Sequence, residues 1–192
     1  MYLPYWDYFL SIESDLANCT RYIEFTKTNY KTFSIEFARI IMAAAAEVDN
    51  LCKDFCNIID PNYSAHNIKE YADLILKTYP KIKKMEIILP DYNINRKPFY
   101  KWQVCKSPKW WKNYNSIKHN RKENYSNANL LTAIDTVGGL LILLLYYYYE
   151  KNNKMRMDIE FGKIPKIINL SNCTSPVELY PGKVVWNYSL LL

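Results

Sequence analysis

The sequence predicts a mainly α-helical bundle followed by a small β-rich region at the C-terminus. Apolar residues recur at steps of three and four along most of the first 150 residues. Only 4 of the 192 residues are glycine, and a long apolar segment covers residues 130–149. A hydrophobic content of 49% with 23% charged residues is typical of a globular chain that buries a core.

The first half of the chain carries three helical patterns. The first covers residues 4–23 and is followed by a polar break at residues 26–31. The second begins at Ser34, a residue type that favours the N-cap position, and ends at Asp60, before a proline. A shorter helix is predicted over residues 67–78, where it is stopped by the following proline.

The middle of the chain is less regular. Residues 81–100 contain two prolines and are predicted to form one short strand around residues 86–89. Ser107 and Pro108 form a good pair for an N-cap and a first helical turn, so a helix is expected to begin there.

The long apolar segment predicts a core helix. Residues 118–125 are polar and are expected to bend or break the chain, after which Ser126 caps a helix that ends near Glu150. Its uninterrupted apolar part, residues 136–149, is shorter than the roughly 20 residues that span a bilayer. We therefore expect no association with a membrane. Because the helix is apolar on nearly all sides, a homodimer is expected to cover it.

The C-terminal region has strand patterns. Residues 157–161 alternate apolar and polar side chains, and residues 184–186 follow a Pro-Gly turn. The chain shows no repeat and no linker-like composition. We therefore predict a single domain over residues 1–192, with a helical bundle at 1–150 and a short β appendage at 151–192.

The cysteines and the N-terminus indicate a cytoplasmic protein. The five cysteines are scattered, and Cys52 and Cys56 lack a histidine pair that would complete a zinc site. Buried free thiols are favoured over disulfides. The N-terminus carries acidic residues early and resembles no signal peptide. We expect no metal and no cofactor.

Positive charge is concentrated in residues 92–122, the basic segment. This segment holds nine Lys or Arg residues, seven aromatic residues and His119, but no Asp or Glu. The whole chain has a net charge of +6, so the remainder sums to 6 − 9 = −3. Cations interleaved with aromatic rings suit a phosphate backbone with unstacked bases. The alternative is a solvated basic face over a tryptophan-rich core.

Within this segment one helical stretch carries groups suited to RNA cleavage. Lys112, Asn115 and His119 fall at steps of three and four, which places them on one helix face. Lys118 and Arg121 flank the imidazole and favour its neutral form, which can accept a proton. In metal-independent cleavage the 2′-hydroxyl of the RNA attacks phosphorus, a histidine moves a proton and cations stabilise the phosphoryl oxygens.

Other residues are expected to bind RNA or to pack in the core. The residues expected to contact phosphate are Lys109, Lys118 and Lys122. Trp102 lies between prolines and lysines and is the candidate for stacking on a base. Trp110 and Trp111 fit a buried stripe, so core packing is favoured for them. His66 is predicted to be structural or exposed.

Residues 11–150 resemble the HEPN superfamily. The resemblance is carried by the order of the helices and by four short stretches: Tyr22-Ile23-Glu24, Ser34-Ile35-Glu36-Phe37, Ala46-Glu47-Val48-Asp49 and Lys118-His119. It implies a helical bundle, a homodimer and a metal-independent ribonuclease of a toxin–antitoxin or antiphage defence system. It also implies a partner protein such as an antitoxin.

The signature of that superfamily is an arginine, usually followed by a polar residue, with a histidine after four to six intervening positions. His119 matches the histidine and Asn113 matches the polar residue, but Lys112 stands at the arginine position. Lysine lacks the planar fork of a guanidinium, which Arg121 is placed to supply. The resemblance therefore implies an endoribonuclease. The alternative is a catalytically inactive HEPN-like module that binds RNA or another protein.

Overall fold

Helices form most of the fold, which confirms the mainly α class. The computed structural model describes residues 4–103, 106–152, 160–161, 163–171, 177–180, 183–185 and 190–192. Five α-helices follow one another within these residues: α1 (Pro4–Asn18), α2 (Ile35–Ile59), α3 (Ile68–Thr78), α4 (Lys109–Asn124) and α5 (Leu130–Lys151).

Side-chain caps fix the starts of α2 and α3. Ser34 Oγ accepts a hydrogen bond from the backbone N–H of Phe37 at 3.0 Å. Asn67 Oδ1 accepts from the N–H groups of Lys69 and Glu70 at 3.0 and 3.2 Å. These N–H groups have no acceptor inside the helix, so the caps stabilise each helix at its first turn. Both predicted starts are confirmed.

The start of α5 differs from the prediction. Ser126 lies in a 3₁₀ turn, and the cap is Asn129, whose Oδ1 accepts from Thr132 N at 3.0 Å. The segment before α2 explains the shift, because Phe33 pairs with Asn129 in an antiparallel bridge. This pairing keeps the backbone of Asn129 extended, so a helix cannot begin at Ser126.

Helix α5 lies at the centre of the core. Of its 22 residues 18 are buried, and α1, α2 and α4 pack around it. In length and composition α5 would suffice to cross a membrane, but 89% of its most apolar 18-residue stretch is buried within the protein. The prediction of a buried core helix is confirmed.

The burial of α5 removes one reason for expecting a homodimer. The apolar circumference of the helix is covered by other elements of the same chain, including at Tyr146 and Tyr148. A second copy is therefore not required to cover it, and that part of the sequence argument is wrong. The homodimer stays a prediction from the family resemblance.

Among the residues that the structure describes, six short strands form two antiparallel sheets: β1 (Ile87–Leu89), β2 (Ile94–Arg96), β3 (Glu160–Phe161), β4 (Asn169–Leu170), β5 (Val177–Tyr180) and β6 (Lys183–Val185). In one sheet β1 lies between β2 and β4, and in the other β6 lies between β3 and β5. The strand predicted at residues 86–89 is therefore confirmed as β1. Residues 157–159 and Trp186, also predicted as strand, lie outside the described residues.

Residues 163–171 are part of the core, which corrects the prediction of an appendage for this stretch. Trp6 Nε1 donates to the carbonyl of residue 163 at 2.9 Å. The buried carboxylate of Glu13 accepts from the backbone N–H groups of residues 167 and 168 at 2.6 and 3.3 Å. Ile168 and Leu170 are buried with the helices, and β4 completes the sheet on β1.

The described cysteines behave as the sequence predicts. Cys19, Cys52 and Cys56 are buried free thiols. Burial raises the pKa of the Cys19 thiol to about 11 and that of Cys56 to about 12. Both thiols are therefore protonated and unreactive at neutral pH. Cys105 and Cys173 lie outside the described residues.

A side chain at Gly138 of α5 is predicted to destabilise the fold. An alanine Cβ would lie 2.1 Å from Ile87 Cδ1, so Gly138→Ala forces the Ile87 side chain out of its packed position. We expect a loss of about 1–3 kcal/mol in the free energy of unfolding, after the gain in helix propensity is included. Urea denaturation monitored by circular dichroism measures this loss.

Ile87→Val provides the control, because it removes the Cδ1 atom that collides. In that background Gly138→Ala should cost about 1 kcal/mol less than it does in the wild type. Additive effects of the two substitutions would contradict the packing described for this contact.

Candidate nucleic-acid interface

Helix α4 is held in place by its aromatic face. Trp110, Trp111, Tyr114 and Ile117 are buried, as the spacing predicts for a packed stripe. The indole Nε1 of Trp110 donates to the carbonyl of Pro98 at 3.1 Å. These contacts confirm core packing, rather than base stacking, for the two adjacent tryptophans.

The first turn of α4 lacks the predicted cap. The capping position is occupied by Pro108, whose backbone is extended (φ −55°, ψ 153°), and no side chain accepts a hydrogen bond there. Ser107 lies one residue too early to reach the first turn, so its assignment as the N-cap is wrong.

A bend at Asn120 divides the end of α4. Its backbone is non-helical (φ −149°, ψ 71°), and its carbonyl accepts from Asn124 Nδ2 at 2.9 Å. The predicted break within residues 118–125 is confirmed. Because Arg121 and Lys122 follow the bend, they do not continue the helical face that carries His119.

Lys112 and His119 lie on the solvent side of α4. Both side chains are exposed, and seven residues correspond to two helical turns, or about 10 Å along the axis. Within the described part of the chain, no hydrogen bond or ion pair involves the side chain of either residue. Both are therefore available to an external ligand.

The two candidate asparagines have different surroundings. Asn113 Nδ2 donates to Thr132 Oγ1 at 2.8 Å, which ties α4 to the start of α5. Asn115 is partly buried and lines a groove together with Lys118. The structure therefore places Asn115 at this groove, while Asn113 makes a contact between helices.

Trp102 is not available to stack on a base. Its side chain is 0% exposed and packs against Phe99, with 4.8 Å between ring centroids. Stacking on a base would require part of the indole to be exposed to solvent. Burying the whole indole is favoured by the hydrophobic free energy of the apolar area removed from water. The prediction of a stacking role for Trp102 is wrong.

The basic segment loses part of its charge to internal pairing. Arg96 forms a bidentate ion pair with Asp135 of α5, with both N–O distances at 2.8 Å. Lys97 Nζ lies 3.9 Å from Glu86 Oε1. The other seven cations are exposed, and no ion pair joins them to any described residue: Lys101, Lys106, Lys109, Lys112, Lys118, Arg121 and Lys122.

Two grooves flank Lys118. The polar groove, of about 640 Å³, opens between α4, the middle of α2 and the start of α3, and is lined by residues that include His66, Lys69 and Asn115. The apolar groove, of about 580 Å³, lies between α2 and α4 and includes Ile35, Met42, Ile117 and Arg121. His119 lies outside the lining of both grooves.

Sequence reasoning missed His66 as a groove residue, and it missed Asp135 as the counter-ion of Arg96. His66 is exposed, as predicted. The turn before α3 places it beside the groove, and no local sequence pattern predicts that position. Among the described residues, no three His, Cys, Asp or Glu side chains are grouped to hold a metal ion.

Comparison of the chain with models of known protein families, with curated proteins and with solved structures finds no match.

Removing Arg96 from its ion pair with Asp135 is predicted to destabilise the fold, because the buried carboxylate is left without its counter-ion. Burial raises the pKa of the Asp135 carboxyl, although the Arg96 guanidinium opposes this shift. Arg96→Gln leaves a buried carboxylate unpaired and should cost about 3 kcal/mol of unfolding free energy, measured by urea denaturation at pH 7. Lys97→Gln is the control and should cost less than about 0.5 kcal/mol, because its contact is long and exposed.

The pH dependence has a definite sign. A carboxyl whose pKa is raised in the folded state binds protons more tightly there than in the unfolded state. Without the opposing guanidinium of Arg96, the pKa of the Asp135 carboxyl is raised further in the variant than in the wild type. The stability deficit of Arg96→Gln should therefore shrink as the pH is lowered from 7 towards 5. A deficit that grows on acidification would contradict this account of Asp135.

Proposed function

We propose that this chain acts on RNA and that α4 binds the phosphate backbone. The observation that carries the proposal is the exposed, acid-free set of seven cations in the basic segment. Cations without internal counter-ions attract a polyanion and release its bound salt ions on contact. Exposed cations also contribute little to fold stability, so binding does not compete with packing.

The exposure of His119 supports a proposal of RNA cleavage. His119 in its neutral form takes the proton of a 2′-hydroxyl as that oxygen attacks the adjacent phosphorus. The bond to the 5′-oxygen then breaks, and the imidazolium returns the proton to that leaving oxygen. Lys112 or Arg121 stabilises the negative charge on the phosphoryl oxygens, and Asn115 orients the phosphate. The products end in a 2′,3′-cyclic phosphate and a 5′-hydroxyl.

A second candidate is an inactive module that only binds RNA or another protein. Three observations favour it: Lys112 stands in place of arginine, Asn113 is engaged by Thr132, and no described side chain orients the His119 ring. A general base without an orienting partner is a weak catalyst.

The cellular setting rests on the HEPN resemblance. We propose a cytoplasmic protein of a toxin–antitoxin or antiphage defence system, which forms a homodimer and is restrained by a partner such as an antitoxin. Light scattering of the purified chain tests the dimer, because a monomer has a mass of 22.8 kDa.

His119→Ala distinguishes the two candidates. If the chain cleaves RNA, the wild type should generate cyclic-phosphate ends from total RNA in EDTA. The variant should be slower by about a hundred- to ten-thousand-fold, because it lacks the proton-transfer group. Gel analysis of a 5′-labelled RNA, whose shortened labelled products carry the cyclic phosphate, measures the rate. Because the side chain is exposed, the unfolding midpoint should not change. Absence of cleavage by the wild type, as monomer or dimer, selects the inactive module.

Three cations near the bend should account for much of the RNA affinity. Replacing Lys118, Arg121 and Lys122 with glutamine should weaken binding of a single-stranded RNA. It should also lower the slope of log affinity against log salt by about 0.7 for each lost contact, as measured by fluorescence anisotropy.

The matched control removes the same charge elsewhere. Lys77, Lys81 and Lys84 are exposed at the end of α3 and just after it. Their replacement with glutamine should leave the salt slope unchanged. An equal loss of RNA affinity in the two triple variants would show that the net charge of the protein, and not the position of the cations on α4, governs the binding.

A further inference from the structure

The polar groove has two walls from different parts of the chain. One wall is a stripe on α4, formed by Trp111, Tyr114, Asn115 and Lys118. Asn115 and Lys118 lie on the exposed flank of this stripe, while Trp111 and Tyr114 belong to the buried face of α4 and reach the groove at its edge. The opposite wall is the start of α3 with the turn before it, and the floor is the middle of α2.

Lysines stand on both walls without internal counter-ions. Lys69 on α3 and Lys118 on α4 are exposed, and no ion pair joins either to the described residues. Lys118 also lies over the ring of Tyr114, with 5.6 Å from Nζ to the centroid. Two lysines from different helices therefore line the groove.

The acidic side chains next to the groove are already occupied. Asp49 on the floor accepts from Lys53 Nζ at 2.8 Å and from the Tyr71 hydroxyl at 3.0 Å, so both of its carboxylate oxygens are engaged. Glu70 accepts from the backbone N–H of His66 at 2.7 Å and from Asn67 Nδ2 at 2.5 Å. The groove thus combines unpaired lysines with one lining carboxylate, Asp49, whose charge is paired with Lys53, and this combination favours an anion.

The remaining lining suits a heterocyclic base. Asn50 and Asn115 present amide groups that can both donate and accept hydrogen bonds, although the Asn50 amide also bonds to the Glu47 side chain. Trp111 and Tyr114, each 6% exposed, add a small aromatic surface to the same wall. The His66 ring accepts or donates one hydrogen bond with Ser64 Oγ at 2.9 Å, which holds the imidazole at the rim. A volume of about 640 Å³ lies within the range of small-ligand sites.

We propose that the polar groove binds a nucleotide unit. Lys69, Lys118 and His66 contact the phosphate, while Asn50 and Asn115 bind the base. The unit is either a free nucleoside monophosphate or one residue of an RNA strand that continues along α4. The strand case rests on the proposed function, since Lys118 belongs to both surfaces.

The test titrates the full chain with adenosine 5′-monophosphate, with inorganic phosphate and with a ten-nucleotide RNA, using isothermal titration calorimetry. We expect the nucleotide to bind more tightly than phosphate, since only the nucleotide uses the amides. Lys69→Gln should weaken nucleotide binding about tenfold, because a charge-assisted hydrogen bond is lost. Lys77→Gln, on the same helix but outside the groove, should leave it unchanged.

A second variant tests the groove by filling its volume, whereas Lys69→Gln removes a charge from its wall. Ala46 is exposed on the floor of the groove, so Ala46→Phe should fill the space and abolish nucleotide binding. An unchanged unfolding midpoint shows that the variant is folded. Equal nucleotide affinity in the wild type, Lys69→Gln and Ala46→Phe, or no nucleotide binding at all, would overturn the proposal.

The RNA measurements separate this proposal from the proposed function. A parallel loss of RNA affinity in Lys69→Gln supports a strand in the groove. Unchanged RNA affinity with weakened nucleotide binding supports a free nucleotide as the ligand. If RNA binds through α4 while the nucleotide does not bind, the groove proposal fails and the RNA function stands. If only the nucleotide binds, the RNA function fails and the groove proposal stands.

Discussion

The close approach of other elements to α5 at two adjacent glycines is the constraint on which the rest of the structure depends. Ile87 of β1 fills the space beside Gly138, and Trp110 of α4 lies against Gly139. Successive helical residues point about 100° apart, so two neighbours on different sides need two consecutive positions without a Cβ. One turn of α5 therefore positions both the sheet and the helix that carries the candidate site.

The position of α4 also determines what the protein presents to solvent. Because Trp110 and Tyr114 face the core, helical geometry leaves Lys112 and His119 outside. Burial of each aromatic side chain contributes a few kcal/mol, whereas each exposed cation contributes little to stability. The fold therefore does not depend on the exposed cations of α4. These residues can change under selection for a ligand without loss of stability.

Local signals in the sequence predict the elements better than the contacts between them. Ser34 caps α2 as predicted, because the hydrogen bond that it accepts comes from three residues away. Asn129 replaces Ser126 as the cap of α5, since the deciding contact is a bridge to a distant segment. The sequence does not predict the burial of Trp102 or the ion pair of Asp135 with Arg96. Both features depend on elements that are remote in sequence. Much of the candidate site could be predicted because its residues share one helix, whereas the polar groove could not, since three helices form it.

The placement of the core elements along the chain has a consequence for synthesis. Glu13 in α1 binds backbone N–H groups 154 and 155 residues later, and β1 acquires its second neighbour only at β4. On the ribosome, the apolar faces of α1 and α2 therefore emerge long before α5 exists to cover them. Such long-range closure slows folding and leaves apolar surface open to aggregation. A nascent chain interrupted before Asn169 would be a client for chaperones or proteases, not a smaller folded protein.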